Sequence, residues 1–338
     1  MRVLQVVGPH IELPTGAYGG SERIVESLAV EMPSLGVEMT TFSVGTTTLP
    51  GDVAFHFDTA QTTWDRFDDV IQAGKAFAMA QDFDVIHYHD VFGTPFASLS
   101  PVPFVTTLHS YAAGGNPLEK FVDAFPDANY VTISASQRSL CSHLRVVATV
   151  PNCIPEDVVH EDVRSGTGGS YLVHLGRMCA DKGTDLAVRL AREAGIPLVL
   201  AGPVFSPDVE FFAREIKPHI DGAAVTYIES VAGADKVQLL RGALAMVSPG
   251  RWNEPFGLSM VEAMALGTPV VASRAGSLPE VVDDGVTGFV ADDVPAMLAC
   301  LDRVRVLDRG RCAATARERF SPRVMAANYL EVYRRLVG

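Results

Sequence analysis

The chain alternates short apolar runs with amphipathic ones, and it does so twice. In the first half, Val3–Val7, Val37–Val44, Val85–His89, Phe104–His109, Tyr130–Ile133 and Val146–Val150 read as strands. Between them, Ser21–Met32 and Phe67–Ala80 read as helices, the first carrying Ile24, Val25, Leu28, Ala29 and Met32 at helical spacing. From Pro155 to Ser170 the pattern lapses, and Arg164–Ser170 reads as a linker. The alternation restarts with strands at Tyr171–Leu175, Pro197–Ala201, Val225–Ile228, Leu244–Val247, Pro269–Ala272 and Gly288–Val290, and with a helix at Thr184–Glu193. Alternation at this pitch predicts α/β architecture with parallel, doubly wound sheets. Two rounds in 338 residues predict two Rossmann-like domains facing a cleft, at 1–160 and 161–320. Ser321 as N-cap and Pro322 as first helical residue open a last helix, 321–338. Its apolar side, Tyr329, Leu330, Tyr333 and Leu336, is expected to pack back on the first domain.

Bulk properties narrow the function. A net charge of −13 argues against a general nucleic-acid partner and against docking on anionic membranes by charge alone. No apolar run approaches the roughly 20 residues of a spanning helix, so no transmembrane segment is expected. The apolar start Met1–Val7 breaks at Gly8-Pro9-His10, too early for a signal peptide. Five cysteines without a Cys-x-x-Cys pair argue against a disulfide framework or zinc site, and place the chain in the cytoplasm.

Three stretches, the first at a helix start and the other two at expected strand ends, have the chemistry of a phosphate and sugar site. The Gly16–Ser21 loop, with Gly19 and Gly20, precedes the first helix, where backbone N–H groups can approach an anion; an ordinary loop with Ser21 as N-cap is the alternative. Gly176–Gly183 opens a helix in the second half and carries Arg177 and Lys182, cations suited to a diphosphate; a solvated loop with Asp181 paired to Lys182 is the alternative. In Glu254–Glu262, the Phe256, Gly257 and Leu258 backbone can present N–H groups at a helix start. Glu254 and Glu262, two turns into that helix, can accept from hydroxyls. The plain alternative is a helix with Pro255 at its first position and acids near its N-terminus. His109 ends a strand at the edge expected to face the cleft. His87 and His89 alternate on one strand before Asp90 and lack an evident third metal ligand, and Asp82-Phe83-Asp84 leads straight into a strand.

Together these residues resemble the retaining glycosyltransferases of family 4, which have the GT-B fold. The resemblance covers essentially the whole chain. It rests on Gly19-Gly20, Phe83–His87, Thr107-Leu108-His109, the Gly-Arg…Lys-Gly pattern of Arg177 and Lys182, and the Glu-x7-Glu signature of Glu254 and Glu262. Arg274–Glu280 and Asp284–Phe289 resemble the turn segments that follow. Cys153 after Asn152, where the family usually has Gly, and Ser230, where Gly is common, depart from the pattern.

The resemblance implies that Glu254 and the Phe256–Leu258 backbone hold the donor sugar and Glu262 the ribose. Arg177 and Lys182 would stabilise the leaving diphosphate, Gly19 and Gly20 would touch it, and His109 would line the sugar site. It implies a hexosyl transfer from a nucleotide-diphosphate sugar to an acceptor hydroxyl, with no metal and no further cofactor. The first domain would serve the acceptor (a sugar, lipid-linked sugar or small molecule) and the second the donor. A nucleotide-sugar epimerase of the same fold and a non-catalytic nucleotide-sugar binder are the other readings.

Overall fold

A computed structural model describes residues 1–16, 19–163 and 168–338. They form two compact units, Met1–Glu156 with Pro322–Gly338, and Asp157–Ser321. Arg164–Thr167 of the expected linker, and Ala17 and Tyr18 of the glycine loop, lie outside the described residues.

The first unit is built on a sheet of β1 (Arg2–Val6), β2 (Glu38–Ser43), β3 (Asp52–Phe55), β4 (Val85–Tyr88), β5 (Phe104–Thr107), β6 (Tyr130–Thr132) and β7 (Val146–Thr149). The spatial order is β3-β2-β1-β4-β5-β6-β7. Every pairing is parallel. Every residue of β4, β5 and β6 is buried, as expected of central parallel strands covered on both faces. Sequence patterning missed β3: it is a four-residue edge strand with no buried residue, and its Val53-Ala54-Phe55 run is too short to stand out.

The helix Pro322–Val337 completes this unit, as expected from its apolar stripe. Tyr329 and Tyr333 on it are fully buried. The Tyr333 hydroxyl lies 2.8 Å from Nδ1 of His87 on β4, and the Tyr329 hydroxyl 2.9 Å from Oγ1 of Thr107 on β5.

The second unit holds β8 (Leu172–Leu175), β9 (Leu198–Ala201), β10 (Val225–Ile228), β11 (Ala245–Ser248), β12 (Val270–Ser273) and β13 (Gly288–Ala291). Their order is β10-β9-β8-β11-β12-β13, again all parallel. In each sheet the winding reverses once, between β1 and β4 and between β8 and β11. Crevices at the carboxyl ends of such strand pairs are where open α/β sheets take ligands. No helix among the described residues is long and apolar enough to cross a membrane. All five cysteines are free and buried.

Candidate functional site

Arg177 and Lys182 follow β8, and Trp252 and Glu254 follow β11, so all four leave the reversal point of the second sheet. The Lys182 ammonium donates to Oε2 of Glu254. The Trp252 Nε1–H donates to the same oxygen at 2.9 Å, and Lys182 Nζ lies 4.9 Å from the centre of the Trp252 ring. One carboxylate oxygen is thus fixed by an ion pair and an indole. The other accepts nothing among the described residues. The Lys182 and Glu254 side chains are 29% and 15% exposed, which leaves the pair open to a ligand.

The two loops that carry this pair are tied to each other. Arg251 grips Asp185 through two parallel contacts of 2.7 and 2.6 Å, and its backbone N–H donates to the Asp181 carbonyl at 2.8 Å. Gly183 is left-handed at φ 69°, and a Cβ there would lie 2.0 Å from the Pro249 carbonyl oxygen, so the loops meet at a position that tolerates no side chain. A second constraint acts from the far side. A Cβ on Gly276 would lie 2.3 Å from the Glu254 backbone nitrogen. Next to it, the Ser277 N–H donates to the Glu254 carbonyl at 2.9 Å, and its hydroxyl to the Phe256 carbonyl at 2.9 Å. The turn segment Arg274–Glu280 therefore acts as a mould for the Glu254–Phe256 backbone.

The helix that follows differs from expectation at its start. It spans Leu258–Ala265 with left-handed Gly257 as N-cap, so Pro255 lies outside it. Glu262 consequently sits about one turn in, not two. The Leu258 and Ser259 N–H groups fall in the first turn, where no intrahelical acceptor exists. Phe256 is buried edge-on against Phe320, so its contribution to a ligand is confined to the backbone.

Glu262 has a partner that the sequence did not reveal. Lys236, from the helix Gly233–Gly242, donates to its Oε1 at 2.8 Å, and both side chains are 7% exposed. Arg177 pairs with Asp208 at 3.2 Å and with Asp181 at 3.6 Å. The alternative pairing of Asp181 with Lys182 does not form: Asp181 serves Arg177, and Lys182 reaches the acid 72 residues away.

In the first unit, Gly19 is the N-cap of the helix Gly20–Glu31 and Gly20 its first residue. Ser21, the cap in the alternative reading of this loop, lies inside the helix and donates instead to Oε2 of Glu22 at 3.0 Å. His109 follows β5, and its Nε2 lies 3.1 Å from Nδ1 of His89, which follows β4. His87, fully buried, contacts the Thr107 hydroxyl at 2.7 Å as well as Tyr333. Burial pushes His87 down to about 3 and His109 down to about 4, so both are neutral near pH 7. Asp90, adjacent to His89, is pushed up to about 7 by burial and then by Asp69, against backbone hydrogen bonds from Phe92 and Gly93. Asp84 caps the end of β1 by accepting from the Arg2 N–H at 2.7 Å, a structural use of the Asp82-Phe83-Asp84 motif. Among the described residues no three His, Cys, Asp or Glu side chains converge as a metal site.

Two family models match the chain. "Glycosyltransferase Family 4" covers residues 18–161, and "Glycosyl transferases group 1" covers 156–305. A glycogen synthase of Mycobacterium tuberculosis is 29% identical over 271 residues, 69% of this chain and 64% of that protein, so the match spans less than two thirds of the relative. An alpha-maltose-1-phosphate synthase of Mycolicibacterium smegmatis is 28% identical over 319 residues, 76% of this chain and 80% of that protein. Among solved structures, AviGT4, a glycosyltransferase involved in avilamycin A biosynthesis, superposes with a TM-score of 0.74 at 25% identity, covering 99% of this chain and 98% of its own.

Proposed function

We propose, for a chain that belongs to the family 4 glycosyltransferases of the GT-B fold, a metal-independent transfer of a hexosyl unit with retained configuration. The unit passes from a nucleotide-diphosphate sugar to an acceptor hydroxyl. The observation that carries this reading is the Lys182–Glu254 pair with Trp252 at the reversal point of the second sheet. In it an anion-binding group and a hydroxyl-binding group share one position.

Arg177 and Lys182 supply positive charge to the departing diphosphate, the term that usually weighs most in such a step. The N–H groups of Leu258 and Ser259 add the positive end of a helix. These groups support a reaction without a divalent ion. Glu254 keeps one oxygen for the sugar hydroxyls, and Glu262 keeps Oε2 for the ribose. Gly19 and Gly20 are assigned to the diphosphate, and neutral His109 to a hexosyl hydroxyl. The free cysteines accord with a cytoplasmic setting.

Thermal-shift screening against UDP-, GDP-, ADP- and TDP-sugars tests the donor assignment, because a ligand of the folded state raises its apparent stability. Stabilisation by one nucleotide sugar is expected. The anomeric configuration of the transferred sugar, read by NMR, tests retention, and an inverted product refutes it. Turnover that survives a chelator supports the metal-free assignment; turnover restored only by a divalent ion overturns it.

A further inference from the structure

His89 contributes nothing to the donor machinery, yet it is buried beside the one histidine assigned to the sugar. Its backbone N–H donates to the Val6 carbonyl at 2.8 Å, which fixes it against β1. Its ring is nearly coplanar with that of His109, 19° apart with centres at 5.4 Å. With Nδ1 and Nε2 separated by 3.1 Å, this is an in-plane N–H···N hydrogen bond. The remaining nitrogen of His89, Nε2, is buried and has no partner among the described residues.

That asymmetry decides where the protons sit. Burial depresses both rings, so each carries a single proton near neutrality. The shared hydrogen belongs either to His89 Nδ1 or to His109 Nε2. If it belonged to His109, the proton of His89 would have to occupy Nε2, a buried N–H with nothing to accept it. In folded proteins a buried N–H with no acceptor is rarer than a buried acceptor with no donor, which favours the arrangement that leaves a bare lone pair on Nε2. The proton of His89 therefore lies on Nδ1 and is donated to Nε2 of His109. The proton of His109 is then forced onto Nδ1, away from His89. An unconstrained neutral histidine favours the opposite tautomer.

We propose that His89 is a positioning residue that holds His109 as the Nδ1–H tautomer, so that His109 meets the sugar as a hydrogen-bond donor. The proposal rests on the assignment of His109 to a sugar hydroxyl. His87 packs its ring 4.0 Å from that of His89 and is itself fixed by Thr107 and Tyr333, so the pair is backed by a layer that cannot rotate to offer Nε2 an acceptor.

Long-range 15N–1H correlation spectra of the histidine-labelled full chain test this without any substrate. The His109 signals are identified by their loss in His109→Gln. The expected spectrum shows a protonated Nδ1 and a bare Nε2 on His109, retained in His89→Asn, whose amide N–H replaces Nδ1–H, and reversed in His89→Leu. A protonated Nε2 on His109 in the unaltered protein overturns the proposal, and that spectrum decides even if His89→Leu does not fold. An Nδ1–H tautomer that persists in folded His89→Leu also overturns it. With the nucleotide sugar found by screening, His89→Leu is expected to lower kcat by about tenfold or more, with His89→Asn restoring it, as when a donor is turned the wrong way. If the tautomer is as expected but His109→Gln turns over normally, the sugar contact falls while the tautomer stands.

Discussion

The carboxyl edges of the two sheets solve different electrostatic problems. In the second unit, Lys182 with Glu254, Arg177 with Asp208 and Lys236 with Glu262 place charge opposite charge around the β8–β11 reversal. In the first unit, the β4–β5 edge carries His87, His89, His109, Tyr329 and Tyr333, a network kept neutral by burial. The ionic edge can bind and release charge, since a diphosphate and hydroxyls can substitute for the partners already in place. Near pH 7 the histidines of the neutral edge carry no charge, so they act through the direction of their hydrogen bonds. Under the proposed function, charge would act from the second unit and hydrogen-bond direction from the first.

The sharpest way to break this contrast is to unbalance a buried ion pair. Glu262→Ala leaves the Lys236 ammonium only its longer 3.8 Å contact with Asp157, and a loss of about 3 kcal/mol in urea unfolding is expected, whereas Glu262→Leu with Lys236→Met should recover most of it. Next in size is an exposed member of the same edge. Lys182→Ala is expected to cut kcat by about a hundredfold or more with unfolding nearly unchanged, measured on the nucleotide sugar that stabilises the protein.

The neutral edge should respond to acid instead. The folded state holds the His87 pKa below its unfolded value, so below about pH 6.5 the unfolded chain takes up the proton first. The stability His87 contributes is complete above that pH and is lost as the pH falls toward about 3. Asp90, raised to about 7, works in the opposite sense over an overlapping range. Comparing unfolding of the unaltered chain with His87→Asn isolates the histidine, whose share at pH 5 is about 2 kcal/mol. The smallest expected effect is Tyr333→Phe, which removes one hydroxyl from His87 and should cost about 1 kcal/mol in the same assay.

Local pattern was enough to find twelve of the thirteen strands, because each is an apolar run bounded by turn residues. It also singled out Arg177, Lys182, Glu254 and Glu262 as candidates, because they stand after strands or near a helix start. The partners of these residues were not legible. Trp252 reads as an ordinary aromatic until its indole N–H is seen on Glu254, and Lys236 as a helix-surface lysine until it is seen against Glu262. Pairings across 72 and 26 residues depend on how strands stack, which periodicity does not encode. The same holds for Gly276, which combines a left-handed φ of 53° with a Glu254 backbone that passes over it.

The discontinuity of the first unit has a consequence for synthesis. Its last helix is encoded after the whole of Asp157–Ser321, so the ribosome delivers the second unit complete while the first still lacks Tyr329 and Tyr333. Until then His87 and Thr107 are without those hydroxyls. The nascent chain must carry an unfinished β4–β5 face until Pro322–Val337 emerges. A stop codon shortly before Pro322 would therefore remove the Tyr329 and Tyr333 hydroxyls that contact Thr107 and His87.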